Sequence, residues 1–199
     1  SDWEKTAARL QENPEVAAVA PYIESQALLI AGSKSSGAAV TGVLPEQEGK
    51  VASVISKMQS GSFEALRPGE YGIVLGAELA KALGVTLGER VLLATPLGNM
   101  TPIGNMLRMR AFKLVGIFAA GMYEFDRNIA YVHLADAARL YRMGDQVSGL
   151  RLRFVDMFAA PRVVRELALS LGGGFYIDDW THKHANFFRS IQLTKSAMF

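Results

Sequence analysis

The sequence predicts an α+β fold laid out discontinuously along the chain, and three observations lead there. Strand-like and helix-like stretches mix without the regular strand-helix-strand rhythm of a doubly wound parallel sheet. The 199 residues are 50% hydrophobic and 20% charged, enough to bury a real core in one large or two small domains. A first β-rich unit gives way near Pro68 to a second one, and a strand-helix-strand pattern follows it. Apart from one doubled hexapeptide there is no internal repeat and no low-complexity stretch.

The elements read in order as follows. Asp2 caps a first helix with Trp3, Ala7 and Leu10 on one face, and Pro14 stops it. Val16 to Ile23 and Gln26 to Ala31 read as two strands, GSKSSG turns the chain, and Ala38 to Val43 is a third. Pro45 to Met58 carries Val51, Val54, Ile55 and Met58 at helical spacing. Beyond Pro68, Tyr71 to Leu75 is a buried strand, Ala77 to Leu83 a helix ended by Gly84, and Arg90 to Ala94 a strand entered through Gly88. Leu107 to Phe118 is a long strand, Asn128 to His133 another, and Asp136 to Tyr141 a short helix. Gly149 to Phe154 is then a strand, Ala159 to Leu171 a helix with Pro161 in its first turn, and Phe175 to Ile177 a strand after three glycines. A last helix is expected from about Asp179.

Between two of these strands lies the doubled hexapeptide, TPLGNMTPIGNM, from Thr95 to Met106. It carries no charge, two prolines and four large apolar side chains, which is long and greasy for a connection that usually takes two to five polar residues. Pro96 and Pro102 disfavour ordinary ladder pairing, and Gly98 and Gly104 permit the positive φ of tight turns. The stretch therefore reads as a projecting, partly stiffened hairpin. Leu97, Met100, Ile103 and Met106 either fold back onto their own sheet or wait for a partner, whose contact would yield roughly 1.5 to 3 kcal/mol each before association costs. The arginines at its root, Arg90 before and Arg108 and Arg110 after, tip the balance towards an interface.

Other chemistries leave little trace. A net charge of +2 with dispersed acids and bases gives no nucleic-acid footprint. Without cysteine there are no disulfides, thiolate catalysis or Cys-based zinc sites. GxGxxG, the P-loop, HExxH and GxSxG are all absent. His182 and His184 stand at i and i+2 beside Asp178 and Asp179, a spacing that on a helix faces them apart, so they read as polar residues of a first turn. Glu124 and Asp126 read as a solvated turn rather than a carboxylate pair, and His133 as a structural histidine. The expectation is a non-catalytic domain with no cofactor and no metal. No apolar run reaches the roughly 18 to 20 residues of a spanning helix, and the amphipathic ends, DWEKTAARLQ and HANFFRSIQLTKSAMF, look like cuts from a longer chain.

The stretches TPIGNMLRMRAFKLVGIFAAG, NIAYVHLADAARLYRMGDQVSGLRLRF and DDWTHKHANFFRSIQL, with YGIVLGAELAKALGVTLGERVLL before them, resemble the periplasmic domain of the LolC and LolE transmembrane subunits of the bacterial lipoprotein-releasing ABC transporter. The likeness spans most of the chain and is strongest from Tyr71; it rests on the order and spacing of soft motifs. It implies a domain between two membrane helices, on the periplasmic face of the inner membrane. It implies two α+β subdomains of the MacB-like periplasmic core type: 1–65 with 148–199 near the membrane, and 66–147 inserted and carrying a projecting hook at 95–106. The resemblance makes that hook the docking element for the periplasmic chaperone LolA, through Leu97, Met100, Thr101, Pro102, Ile103, Gly104, Asn105 and Met106. Arg90, Arg108 and Arg110 would form a pad beside it, with Met109 at a pad position where a polar residue is expected. Further implied partners are the ATPase subunit LolD, a partner transmembrane subunit and the lipoprotein cargo. The loop resembles the chaperone-binding LolC form or the hybrid, LolF-like form. Alternatives are a cargo-binding, LolE-like domain, the core of a MacB-type efflux transporter meeting an adaptor protein, or a small-ligand module with a closed apolar pocket. An enzyme would need a cleft gathering Glu124, Asp126 and His133.

Overall fold

The computed structural model describes residues 2–101, 104–170, 176–179 and 188–192. Helix α1 (Asp2–Gln11) buries Leu10, with Trp3 and Ala7 packed beside it. The two expected strands after it are one, β1 (Val16–Ala31), of 16 residues. The inward-outward alternation simply continues through Glu24 and Gln26, both exposed, so no break arises. Strand β2 (Lys34–Val43) also begins earlier than expected, because Gly32, at φ 60°, closes the β1–β2 turn in two residues and frees the rest of GSKSSG for pairing.

The expected helix over Pro45–Met58 is broken. Helix α2 (Pro45–Val51) ends where Ala52 turns extended, a 3₁₀ turn follows over Val54–Lys57, and Met58–Gly61 is a short strand, β3. Tertiary packing overrides the helical spacing: Val51 packs with Ala18 and Ala20, whereas Val54 joins Phe63 and Leu66 in another cluster. Strand β4 (Gly72–Gly76) and helix α3 (Ala77–Leu83) form as expected, and Gly84 ends α3 in the left-handed region. Then come β5 (Arg90–Thr101), β6 (Gly104–Phe118), α4 (Tyr123–Asn128), β7 (Ile129–His133) and α5 (Leu134–Leu140). The chain continues through β8 (Gly149–Phe154), α6 (Ala160–Ser170), β9 (Tyr176–Asp179) and β10 (Phe188–Gln192).

Two of these elements correct the sequence reading. The stretch expected as a solvated turn around Glu124 is α4, and its Asp126 is buried. The helix expected from Asp179 does not start there: Asp179 ends β9, and 188–192 is a strand pairing with both β8 and β9. An edge such as that of β8 offers a row of backbone donors and acceptors, and β10 satisfies them.

The pairings close a ring. Strand β1 pairs with β2, β2 with β7, β7 with β4, β4 with β6, β6 with β5, and β5 again with β1. On the same edge of β1, residues 16–22 pair with β8, so one long strand serves both the ring and the β8-β10-β9 sheet. The β1–β5 and β2–β7 pairings thus join the first 65 residues to the stretch 66–147. The inner face of the ring buries Leu29, Ile73, Leu75, Leu93, Phe112 and Val132 in one cluster with Leu79 and Leu83 of α3 and Ala137 and Leu140 of α5. A second cluster joins β8 to α1 and α6. Gly76 lets β4 run close against α4: a Cβ there would lie 2.1 Å from the carbonyl oxygen of Asp126.

Candidate functional site

Strands β5 and β6 form the longest hairpin of the chain, and its two ends behave differently. At the root, β5 pairs with β1 through Leu92–Ala94, and β6 pairs with β4 through Lys113–Phe118. Farther out, from Thr95 and Arg108 onwards, the two strands pair only with each other among the described residues. Register runs evenly from Arg90↔Lys113 to Pro96↔Leu107, then shifts before Met100↔Asn105. Leu97, Gly98 and Asn99 therefore stand opposite Met106 alone, a bulge that bends the arm just past Pro96. The doubled hexapeptide is thus mostly strand, longer at both ends than the sequence reading allowed. Pro102 and Ile103 lie outside the described residues, as do the side chains of Leu97, Met100, Thr101, Asn105 and Met106.

Period-two alternation sorts the root side chains onto two faces. On the outer face, Leu28 of β1, Ala94 of β5 and Met109 of β6 stand in register, with Leu107 and Pro96 one step farther out. Leu28 is 41% exposed, Met109 48% and Leu107 57%, so a stripe of large apolar side chains runs uncovered from the ring to the arm. Arg90 and Lys113, paired in register and both exposed, end the stripe on the ring side. Leu28 is a member that sequence reading missed. The run ALLIA does not itself alternate; Leu28 falls on the outer face only by counting on in twos from Glu24 and Gln26, which requires β1 to be unbroken.

On the inner face, Arg108 and Arg110 follow Phe112 and Leu114. The Arg108 guanidinium is engaged within the chain: Nη1 donates to the carbonyl of Leu140 at 2.9 Å and to that of Arg139 at 3.4 Å. Both carbonyls lie in the last turn of α5, where a cation is favoured, and that of Arg139 also accepts from the Arg142 amide at 3.3 Å. Arg110 lies over the Tyr71 ring, 3.8 Å from its centroid. Of the three expected pad arginines, Arg90 therefore belongs to the outer face, and Arg108 and Arg110 line the inner one.

Tyr71 is itself unusual. It adopts φ 53°, a left-handed conformation that costs an L-residue about 1–2 kcal/mol. Asp136 in the first turn of α5 holds it there, accepting from the Tyr71 amide at 3.0 Å and from the Gly69 amide at 2.7 Å. The amide of Lys113 closes the bracket, donating to the Tyr71 carbonyl at 2.9 Å. Tyr141, just past α5, is raised in pKa by burial.

The remaining candidates are structural in setting. Asp126 accepts from the amides of Ala120 at 2.7 Å and Gly121 at 3.1 Å, pinning the loop ahead of α4. Glu124 accepts from the Asn128 side chain. His133 caps α5, its Nδ1 accepting from the Ala135 amide at 3.0 Å; burial lowers its pKa and the Asp136 charge works against that. A groove of about 610 Å³ between β2 and α4 takes in Glu124, Arg127, Asn128 and Tyr123 but neither Asp126 nor His133. It is an open groove with polar and apolar lining in near-equal parts, unlike the closed apolar pocket that a small-ligand module needs. His182 and His184 lie outside the described residues, and among the described ones no group of three potential ligands is placed to hold a metal. Nor is any described helix long and apolar enough to cross a membrane.

Comparison with known proteins fits this architecture. Residues 1–168 match the family model of the MacB-like periplasmic core domain. The chain is 42% identical over 197 residues to the lipoprotein-releasing system transmembrane protein LolC of Xylella fastidiosa strain 9a5c, covering 99% of the chain and 47% of that protein. It is 38% identical to LolC of Neisseria meningitidis serogroup B, covering all of the chain and 48% of the relative. Against the LolE protein of Haemophilus influenzae it is 28% identical over 99% of the chain and 47% of that protein. The chain thus spans about half the length of these relatives. In fold it is similar to the periplasmic region of MacB from Actinobacillus actinomycetemcomitans, with a TM-score of 0.56 at 18% identity over 84% of this chain and 73% of that one. The extracellular domain of the ABC-type transporter YknZ from Gram-positive bacteria gives 0.54 at 12% identity, over 85% and 83%.

Proposed function

The chain belongs to the family of MacB-like periplasmic core domains, and from that premise we propose that it is the periplasmic domain of a lipoprotein-releasing transporter subunit of the LolC kind, docking the chaperone LolA through the β5–β6 hairpin. The observation that carries this reading is the hairpin itself, an arm that leaves the ring at Thr95 and Arg108 with an exposed apolar stripe at its base. Leu28, Met109 and Leu107 are each about half exposed, so covering them contributes about half of the usual 1.5–3 kcal/mol per side chain, or roughly 2–4 kcal/mol together. The hook residues Leu97, Met100, Ile103 and Met106 add to this. Association costs then leave a specific contact that still releases, as a shuttle requires.

The parts divide the work. The stretch 66–147 supplies the arm, and 1–65 with 148–199 forms the membrane-proximal portion of a protein anchored in the inner membrane. Arg90 and Lys113 flank the stripe as a polar rim. ATP is hydrolysed on the separate LolD subunit, so this domain binds and relays motion rather than catalysing. A second transmembrane subunit and the lipoprotein cargo complete the assembly.

Calorimetry of the chain with LolA tests this, with an Ile103→Asp, Met106→Asp double variant of unchanged melting temperature as the comparison. Micromolar binding by the parent and its loss in the variant are expected. No binding by the parent, or equal binding by the variant, overturns the docking reading in favour of a cargo-binding or adaptor-binding domain.

A further inference from the structure

The inner face of the hairpin root is tied to one short helix at both ends of that helix. In its first turn, Asp136 is fully buried and spends both carboxylate oxygens on the backbone of the 69–71 loop. In its last turn, the carbonyls of Leu140 and Arg139 accept from Arg108. Between these two anchors Tyr71 carries Arg110 on its ring and stands edge-on to Phe112, 5.4 Å away. Every side chain that β6 turns inward from 108 to 112 is thus fixed, directly or through Tyr71, by α5.

We infer that Tyr71 is a positioning residue: held in a left-handed conformation by Asp136, its ring fixes Arg110 and thereby sets the angle at which the arm leaves the ring. Glycine is the residue that a φ of 53° favours, and glycine would remove the backbone strain. A tyrosine kept there against that preference points to a task for the ring, and strain of this kind persists only where the surroundings over-determine it. The ring meets Arg110 face-on, while the backbone of the same residue bonds α5 on one side and β6 on the other. One residue therefore couples the helix to the strand. An arm held at one angle meets its partner without first having to be ordered, so association loses less entropy. The effect on binding rests on the docking reading above; the effect on the arm does not.

The absence of cysteine allows a direct test. Spin labels on Asn99→Cys in the arm and Lys81→Cys on α3 report the arm's angle as a distance distribution. The parent and Tyr71→Phe, which keeps the ring, are expected to give the same narrow distribution. Tyr71→Gly, which relieves the strain but lacks the ring, is expected to broaden it about twofold without lowering the melting temperature in proportion. Arg110→Met, a change at an exposed side chain that folding tolerates, is expected to broaden it likewise. Affinity for LolA should fall at least fivefold in Tyr71→Gly and hold in Tyr71→Phe. Unchanged distributions in Tyr71→Gly and in Arg110→Met overturn the inference whatever the chaperone does. Broadened distributions in a protein whose parent does not bind LolA uphold it while sinking the docking reading.

Discussion

Glu48 of α2 is completely buried, and its Oε1 accepts from Arg151 Nη1 at 2.5 Å. The Arg151 guanidinium lies 4.8 Å from the Tyr22 ring centroid, and Glu48 Oε2 has no hydrogen-bond partner among the described residues. Burial alone would pull the Arg151 pKa down, but the Glu48 carboxylate together with Tyr131 and Tyr22 outweighs it and the net shift is upward. Tyr131, also buried, is pushed up by the same desolvation. Removing Glu48 leaves a guanidinium stranded in this setting, and breaking a buried pair from one side costs about 3–5 kcal/mol. In a chain of this length each kcal/mol moves the melting temperature by about 2–4 °C, so Glu48→Ala should melt roughly 6–20 °C lower. The Glu48→Leu, Arg151→Met double variant removes both charges, fills the space and should recover most of the loss. Thermal melts followed by circular dichroism, with urea titrations for the free energies, give the comparison. A loss under about 1 kcal/mol in Glu48→Ala, or a double variant no more stable than the single, would refute the reasoning.

Three further outcomes are expected. His133 has a lowered pKa in the folded protein, so its contribution is full above the ordinary value of 6.5 and is lost as pH falls through the lowered one. The parent's melting temperature should therefore drop more between pH 7 and 5 than that of His133→Asn, which can still accept from the Ala135 amide; parallel curves would contradict this. Asp126→Asn converts one of two loop acceptors into a donor and should lower stability by about 1–3 kcal/mol in urea titrations. Gly76→Ala places a Cβ 2.1 Å from the carbonyl of Asp126, a clash with backbone that no rotamer relieves, and should cost on the order of 1–3 kcal/mol.

What the sequence showed of the fold was what local physics controls. Helix α3 with its left-handed Gly84, the five buried residues of β4, and the ends of β7 and β8 all follow from propensity, capping and alternation. Departures occur where distant residues decide. Val51 and Val54 have helical spacing but are drawn into different clusters, so the helix breaks between them. The chain at 188–192 is a strand because β8 has an edge to fill, a requirement invisible locally. For the candidate site, the strands flanking the hexapeptides were legible, but not that their pairing runs on through Pro96↔Leu107 to Thr101↔Gly104. That Arg108 and Arg110 turn inward and Arg90 outward is fixed by strand register, and the part played by Tyr71 depends on a backbone angle, which no residue type declares.

The closed ring has a consequence for how the chain comes to be folded. Its last member, β7, pairs in parallel with β2, joining residues 129–133 to 39–43. The β1–β2 hairpin can form early from its own two-residue turn, but it remains an open, sticky edge until most of the chain has been made. Closure of so long a loop comes before its rewards, which makes the rate-limiting step slow and topological rather than local. Once shut, the ring has no loose strand from which to unzip. Opening is then all or nothing, and the native state should be long-lived well beyond what its equilibrium stability alone would give.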